Sequence, residues 1–196
     1  MPRLVKEIPT AKYEFGGEQG EQNKALPALG RNFIASLFVM YALLAIAFRS
    51  YMQPLIIMSA IPFATIGAII GHLIMGINFS VLSLMGVVAL TGVVVNDSLV
   101  MVDFINRYRS EGNNITEAVL EAGPRRFRPI FLTSLTTFVG LIPLLLEKSA
   151  QAKFLIPMAV SLSFGVIFAT AITLFLVPVG YLVLEKYILK TDKVNI

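Results

Sequence analysis

Apolar residues run through this chain in long blocks, and charge falls only at the block ends. Arg31 and Arg49 bracket 17 uncharged residues, NFIASLFVMYALLAIAF. From Ser50 to Asn96, 47 residues pass with no Asp, Glu, Lys or Arg. One helix of that length would run about 70 Å at roughly 1.5 Å per residue, over twice the hydrocarbon thickness of a bilayer. The chain must fold back, and Met75-Gly76-Ile77-Asn78-Phe79-Ser80 is the only break polar and flexible enough. Arg128 and Glu147 bracket 18 more uncharged residues, and Phe154–Leu184 adds 31. The last block reads as one tilted or kinked span, with Pro157 near its start and Pro178 near its end. The pattern predicts an all-α membrane protein with five transmembrane helices, at about 32–50, 54–75, 80–106, 129–147 and 155–186.

Between and before the spans the pattern changes. Residues 1–31 read as a soluble arm. Lys12-Tyr13-Glu14-Phe15 alternates like a strand and stops at Gly16-Gly17, and EQGEQNKALPALG is polar, then weakly helical. The arm is too short to bury a core of its own, so it is expected to belong to a larger domain. Its start lacks the apolar stretch of a signal peptide. Within 107–128, Asn114-Ile-Thr-Glu117 has capping-box spacing and Gly123-Pro124 reads as a stop, which predicts a short helix at the membrane surface. The second span carries Ala60, Ala64, Ala68 and the pair Gly67/Gly71, small residues that let a neighbouring helix approach closely, with Pro62 set to kink it.

Composition sharpens this reading. Only 14% of the residues are charged, against about 25% in soluble domains. With no cysteine and a single histidine, His72, neither thiol chemistry nor a multi-histidine metal site is expected; His72 reads as an interface histidine. Arg49, Arg107, Arg109, Arg125, Arg126, Arg128, Lys186, Lys190 and Lys193 fall on one side of a five-span topology, and only Lys148 and Lys153 on the short loops of the other. That bias makes the first side cytoplasmic and the N-terminal arm extracytoplasmic. The basic residues form no single patch, so nucleic acid is not an expected partner; membrane lipids are.

The chemistry centres on Gly86–Arg107, GVVALTGVVVNDSLVMVDFINR. Asp97 lies too deep to snorkel, and its neighbours at three and four residues are Val93, Val94, Val100 and Met101. Nothing on its own helix neutralises it, so it must be protonated, pair with another helix or face a wet cavity. Two readings stay open: a carboxyl for proton coupling, or a protonated acid joining helices. Asn96 and Asp103 share a face, and Asp103 can pair with Arg107 one turn on. On the fourth span Thr133, Thr137 and Gly140 form a polar stripe, with Arg126 on the same face two turns earlier. Such hydroxyls either bond back to their own helix or line a hydrated surface opposite Asp97.

Four ordered stretches carry a resemblance: GEQGEQNKALPALG, AFRSYMQPLIIMSAIPFATIGAIIGH, GVVVNDSLVMVDFINRYR and EAGPRRFRPIFLTSLTTFVGLIPLLL. Together they resemble the C-terminal part of RND (resistance-nodulation-division) efflux pumps of the hydrophobe/amphiphile type. The resemblance implies the last five helices of a twelve-helix domain, with residues 1–31 as the end of a periplasmic porter region. It implies a bacterial inner-membrane homotrimer that uses the proton gradient to expel drugs and other amphiphiles. Its partners would be the N-terminal half and porter domains of the same pump, a periplasmic adaptor and an outer-membrane channel. Arg126 and Thr133 match relay positions of the family. Asn96 stands where well-known drug pumps have lysine, and Asp97 where they have asparagine; the pair resembles the paired acids of the pseudo-symmetric helix in the pump's first half. Asp103, Arg107 and Thr137 are expected in support, with no cofactor and no metal.

Other readings are a truncated or accessory membrane protein of this scaffold without transport of its own, and an RND exporter of metal ions or lipids. No enzyme is expected: an intramembrane aspartyl protease needs acids on two neighbouring helices, and only the third span has deep ones.

Overall fold

The computed structural model describes residues 18–149 and 151–184. Six helices fill them: α1 (Glu18–Phe48), α2 (Gln53–Met58), α3 (Ala60–Met75), α4 (Val81–Ser110), α5 (Ile115–Leu146) and α6 (Ala152–Leu184). The strand expected at Lys12–Phe15 and the basic tail after Leu184 lie outside the described residues. The chain divides into two compact units, Met1–Leu37 and Phe38–Ile196. In the first, the described residues are helical from Glu18, so the arm's second half is α1 itself.

Five stretches are long and apolar enough to cross a membrane: Ala25–Phe48, Gln53–Met75, Val81–Ser110, Ile115–Leu146 and Ala152–Leu184. The second is two helices, broken at Ser59. Pro62 explains the break, because it has no N–H for the Met58 carbonyl and its ring crowds that oxygen. The turn between α3 and α4 falls where the polar break predicts it. Gly76 ends α3 in the left-handed region (φ 63°), and Ser80 starts α4 with a reciprocal box to Ser83.

The expected surface helix ending at Gly123-Pro124 is not formed. α5 runs unbroken from Ile115 to Leu146 with Pro124, Pro129 and Pro143 inside it. An interior proline costs about 3 kcal/mol. Here one buried row (Ala118, Ala122, Ile130, Ser134), spaced by four residues, continues across the prolines, with Arg126 in its gap. Stopping the helix would unpack that row. Asn114 is the N-cap residue, but its side chain makes no capping bond, so the capping-box spacing is not used.

α6 is the hub, packing against α3, α4 and α5. Gly67 and Gly71 let α3 lie directly on Phe168 and Phe164 of α6, so the small residues of the second span pack as their spacing predicts. Phe164 in turn meets Phe138 of α5 edge-on, with centroids 5.9 Å apart. α4 buries one face over its whole length, from Ser83 through Leu90 and Asp97 to Ile105.

His72 is not an interface histidine. It is only 4% exposed, with Nδ1 2.9 Å from the Ala68 carbonyl and Nε2 2.8 Å from Ser83 Oγ. A hydroxyl on the facing helix satisfies the imidazole inside the bundle, so it has no need of the headgroup layer.

Candidate functional site

Asp97 falls in the buried stripe of α4, between Val94 and Met101, and is 7% exposed. Among the described residues it forms no hydrogen bond or ion pair. Asn96, one residue earlier and about 100° round the helix, is on the open face with Gly92. The two adjacent polar residues are therefore split, one inside the bundle and one outside.

Arg126 is brought to α4 directly. Its guanidinium carbon sits 4.9 Å from the centroid of the Phe104 ring, and its Nε is buried with no hydrogen-bond acceptor. Phe104 lies seven residues beyond Asp97 on nearly the same face of α4, and Thr133 lies seven residues beyond Arg126 on α5. Because α4 and α5 run antiparallel, the Phe104–Arg126 contact sets Thr133 level with Asp97. The Thr133 hydroxyl donates to the Ile130 carbonyl at 2.8 Å, and Thr137 donates to the Thr133 carbonyl at 2.8 Å. Both hydroxyls thus bond back to their own helix, and Thr133 is exposed on it. Asp103 and Arg107 pair at 3.3 Å, with side chains 47% and 70% exposed. An exposed pair of this kind contributes less than about 1 kcal/mol.

Sequence reasoning overlooked the hydroxyls of α6. Tyr181 donates to Asn106, 75 positions earlier in the chain, and the same offset recurs where Gly165 meets Leu90 and Ser161 meets Gly86. Carried to Asp97, the offset reaches residue 172, within a turn of Thr170 and Thr173. Both threonines are buried. Thr170 shares a hydrogen bond with Ser134 of α5, and the Thr173 hydroxyl has no partner. The available signal was their three-residue spacing inside an otherwise uncharged span. The level of Asp97 is thus the polar belt of the bundle, with hydroxyls on α5 and α6. An apolar groove of about 910 Å³ opens between α2–α3 and α6, lined by residues such as Leu55, Phe63 and Phe175. None of the sequence candidates lines it.

These features define a multi-pass membrane protein with an unneutralised acid held between its helices. The model of the AcrB/AcrD/AcrF family matches residues 1–185, and the chain belongs to that family. This agrees with the resemblance to RND efflux pumps carried by the four motifs. The chain is 34% identical over 154 residues to multidrug resistance protein MdtC of Erwinia tasmaniensis, covering 78% of this chain and 15% of that protein. It is 33% identical to MdtC of Erwinia amylovora over the same extent. Two crystal forms of a heavy metal efflux pump match its fold. One gives a TM-score of 0.75 at 31% identity over 94% of this chain and 18% of the pump; the other gives 0.78 at 28% identity over 94% and 19%. The chain thus spans about 15% of the length of the curated relatives it matches.

Proposed function

We propose that this chain forms the last five membrane helices of a proton-driven RND exporter of drugs or other amphiphiles, and that it is not an enzyme. Residues 1–31 then lead in from a periplasmic porter region, and 32–196 belong to the membrane bundle. The exporter works as a homotrimer in the bacterial inner membrane, with a periplasmic adaptor and an outer-membrane channel. The arginine-rich end of the bundle faces the cytoplasm, in keeping with the charge bias of the loops.

The observation that carries the reading is Asp97. A carboxyl buried between helices, without a countercharge among the described residues, takes up and releases a proton as its surroundings change. Arg126 approaches from the cytoplasmic end of the same helix face. Thr133, Thr137, Thr170 and Thr173 supply hydroxyls that relay a proton or hold water. Asn96, on the open face with Asp103 and Arg107 further along, meets the acid-bearing helix of the pump's first half.

The test uses the complete pump. Asp97→Asn and Arg126→Ala are each expected to reduce efflux to the level of a pump-free strain with the amount of pump in the membrane unchanged. Wild-type efflux in both variants refutes the relay. A second reading, export of metal ions, takes its support from the similarity in fold to a heavy metal efflux pump. Metal tolerance conferred by the complete pump, without drug tolerance, decides for it.

A further inference from the structure

Five arginines stand at the cytoplasmic ends of α4 and α5: Arg107, Arg109, Arg125, Arg126 and Arg128. Arg107 pairs with Asp103 at 3.3 Å, and Arg125 pairs with Glu121 at 2.8 Å. Arg125 also lies 5.5 Å from the Tyr108 ring centroid, and Tyr108 stacks on Phe104 with centroids 5.8 Å apart. Arg126 differs from Arg107 and Arg125: its guanidinium rests on the Phe104 face and forms no ion pair among the described residues. α6 offers it none, since that helix has no charged residue from Phe154 to Leu184.

We infer that Phe104 is a positioning residue for Arg126: its ring holds the guanidinium on the Asp97 face of α4 while leaving it free to exchange onto a carboxylate. This rests on the relay reading above. The physical basis is the difference between a π face and an acid as partner. A ring quadrupole attracts a cation and is sequence-neutral as to protonation, so it fixes position without consuming the charge. A carboxylate in the same place would lock the arginine in a salt bridge with a steep cost of separation at low dielectric. The row in which Arg126 sits, between Ala122 and Ile130, makes the approach along the helix narrow, and the unpartnered Nε shows that no acceptor competes with the ring.

The charged and titratable groups within two helical turns of this contact are Asp97, Asp103, Arg107, Tyr108, Arg109 and Glu111 on and just after α4, and Glu121, Arg125 and Arg128 on α5. When the ring is removed, the guanidinium moves onto one of these acids and competes there with protons. Efflux then needs a more acidic medium.

The experiment compares Phe104→Met, Phe104→Tyr and Arg126→Ala in the complete pump, with efflux normalised to pump in the membrane and measured across pH. Methionine fills the volume without a π face; tyrosine keeps the face. Expected are a loss of about tenfold in Phe104→Met at neutral pH, the scale of one desolvated cation–π contact, with the profile displaced to lower pH, and near wild-type behaviour in Phe104→Tyr. A uniform loss in Phe104→Met with no displacement makes Phe104 a packing residue and overturns the inference. So does a wild-type profile in Phe104→Met while Arg126→Ala is inactive. If Arg126→Ala itself is active, the relay reading fails instead.

Discussion

The imidazole of His72 and the hydroxyl of Ser83 meet at 2.8 Å across the turn that joins α3 to α4. The other ring nitrogen lies 2.9 Å from the Ala68 carbonyl, so both nitrogens are satisfied inside the bundle. Ser83→Ala removes one partner and leaves a buried imidazole nitrogen unpaired, which costs about 1–3 kcal/mol. His72→Phe combined with Ser83→Ala removes both polar groups and is expected to cost less than Ser83→Ala alone. Thermal unfolding of the purified pump in detergent measures this. A double variant that is less stable than Ser83→Ala rejects the pairing as a stabilising contact.

Gly71 has no side chain because Phe164 occupies the space. A Cβ added there would stand 2.6 Å from Phe164 Cγ. Phe164 cannot retreat freely, since its other side meets Phe138. Gly71→Ala is therefore expected to destabilise by about 1–3 kcal/mol through overpacking. Adding Phe164→Ala to it should recover part of that loss, a non-additivity that a double-mutant cycle reads directly. Additive losses mean that the two residues do not share the space.

Most of this architecture was legible because a membrane removes choices. Charge-free blocks of fixed minimum length have to be helices, and the Gly76–Ser80 break was the only place for a turn. Features set by packing between helices were not legible. Pro124 reads locally as a stop, but the buried row through Ala122, Ile130 and Ser134 outweighs it. The kink expected from Pro62 was legible, and the break it imposes falls three residues earlier, at Ser59. Asp97 stood out as a lone deep acid, but a linear pattern does not tell which neighbour faces it. The stacking of Arg126 on Phe104 joins residues far apart in the chain, and no periodicity within either helix announces it.

Glu147, the residue after α5, ties down the following turn with its own carboxylate. Its Oε1 accepts the backbone N–H groups of Lys148 and Ser149, each at 3.0 Å. The Ser149 N–H, and then that of Lys148, holds the carboxyl below the ordinary glutamate range. The folded value is the lower one, so this contribution is present above the ordinary glutamate range and is lost as pH falls through the folded value. Hydrogen exchange at the Lys148 and Ser149 amides, corrected for intrinsic rate, should speed up as pH falls below the ordinary glutamate range. In Glu147→Gln that acid dependence should disappear. An unchanged pH response in the variant means that another group protects the turn.

Asn106 is the keystone of the only side-chain network among the described residues that ties α2, α4 and α6 together. Its amide and that of Gln53 exchange bonds of 2.9 and 3.2 Å, and the buried Tyr181 hydroxyl donates to Asn106 Oδ1 at 2.6 Å. Gln53 also reaches the Tyr181 oxygen at 3.3 Å. The two possible deletions differ in what they strand. Tyr181→Phe leaves the amide pair intact, and a single side-chain bond in a membrane protein averages about 0.6 kcal/mol. Asn106→Leu removes the shortest bond of both the Gln53 amide and the Tyr181 hydroxyl and leaves them the longer 3.3 Å contact with each other, which costs about 2 kcal/mol where no water replaces the partner. Once Asn106 is gone, Tyr181→Phe should cost little more, since the hydroxyl has lost its shortest bond. Melting temperatures of the two single variants and the double, measured on the complete pump, decide the matter. Equal costs for the single variants, or full additivity in the double, would mean that Asn106 does not organise the junction, and that α2 is held on α4 and α6 by the packing of Ile57 in the core alone.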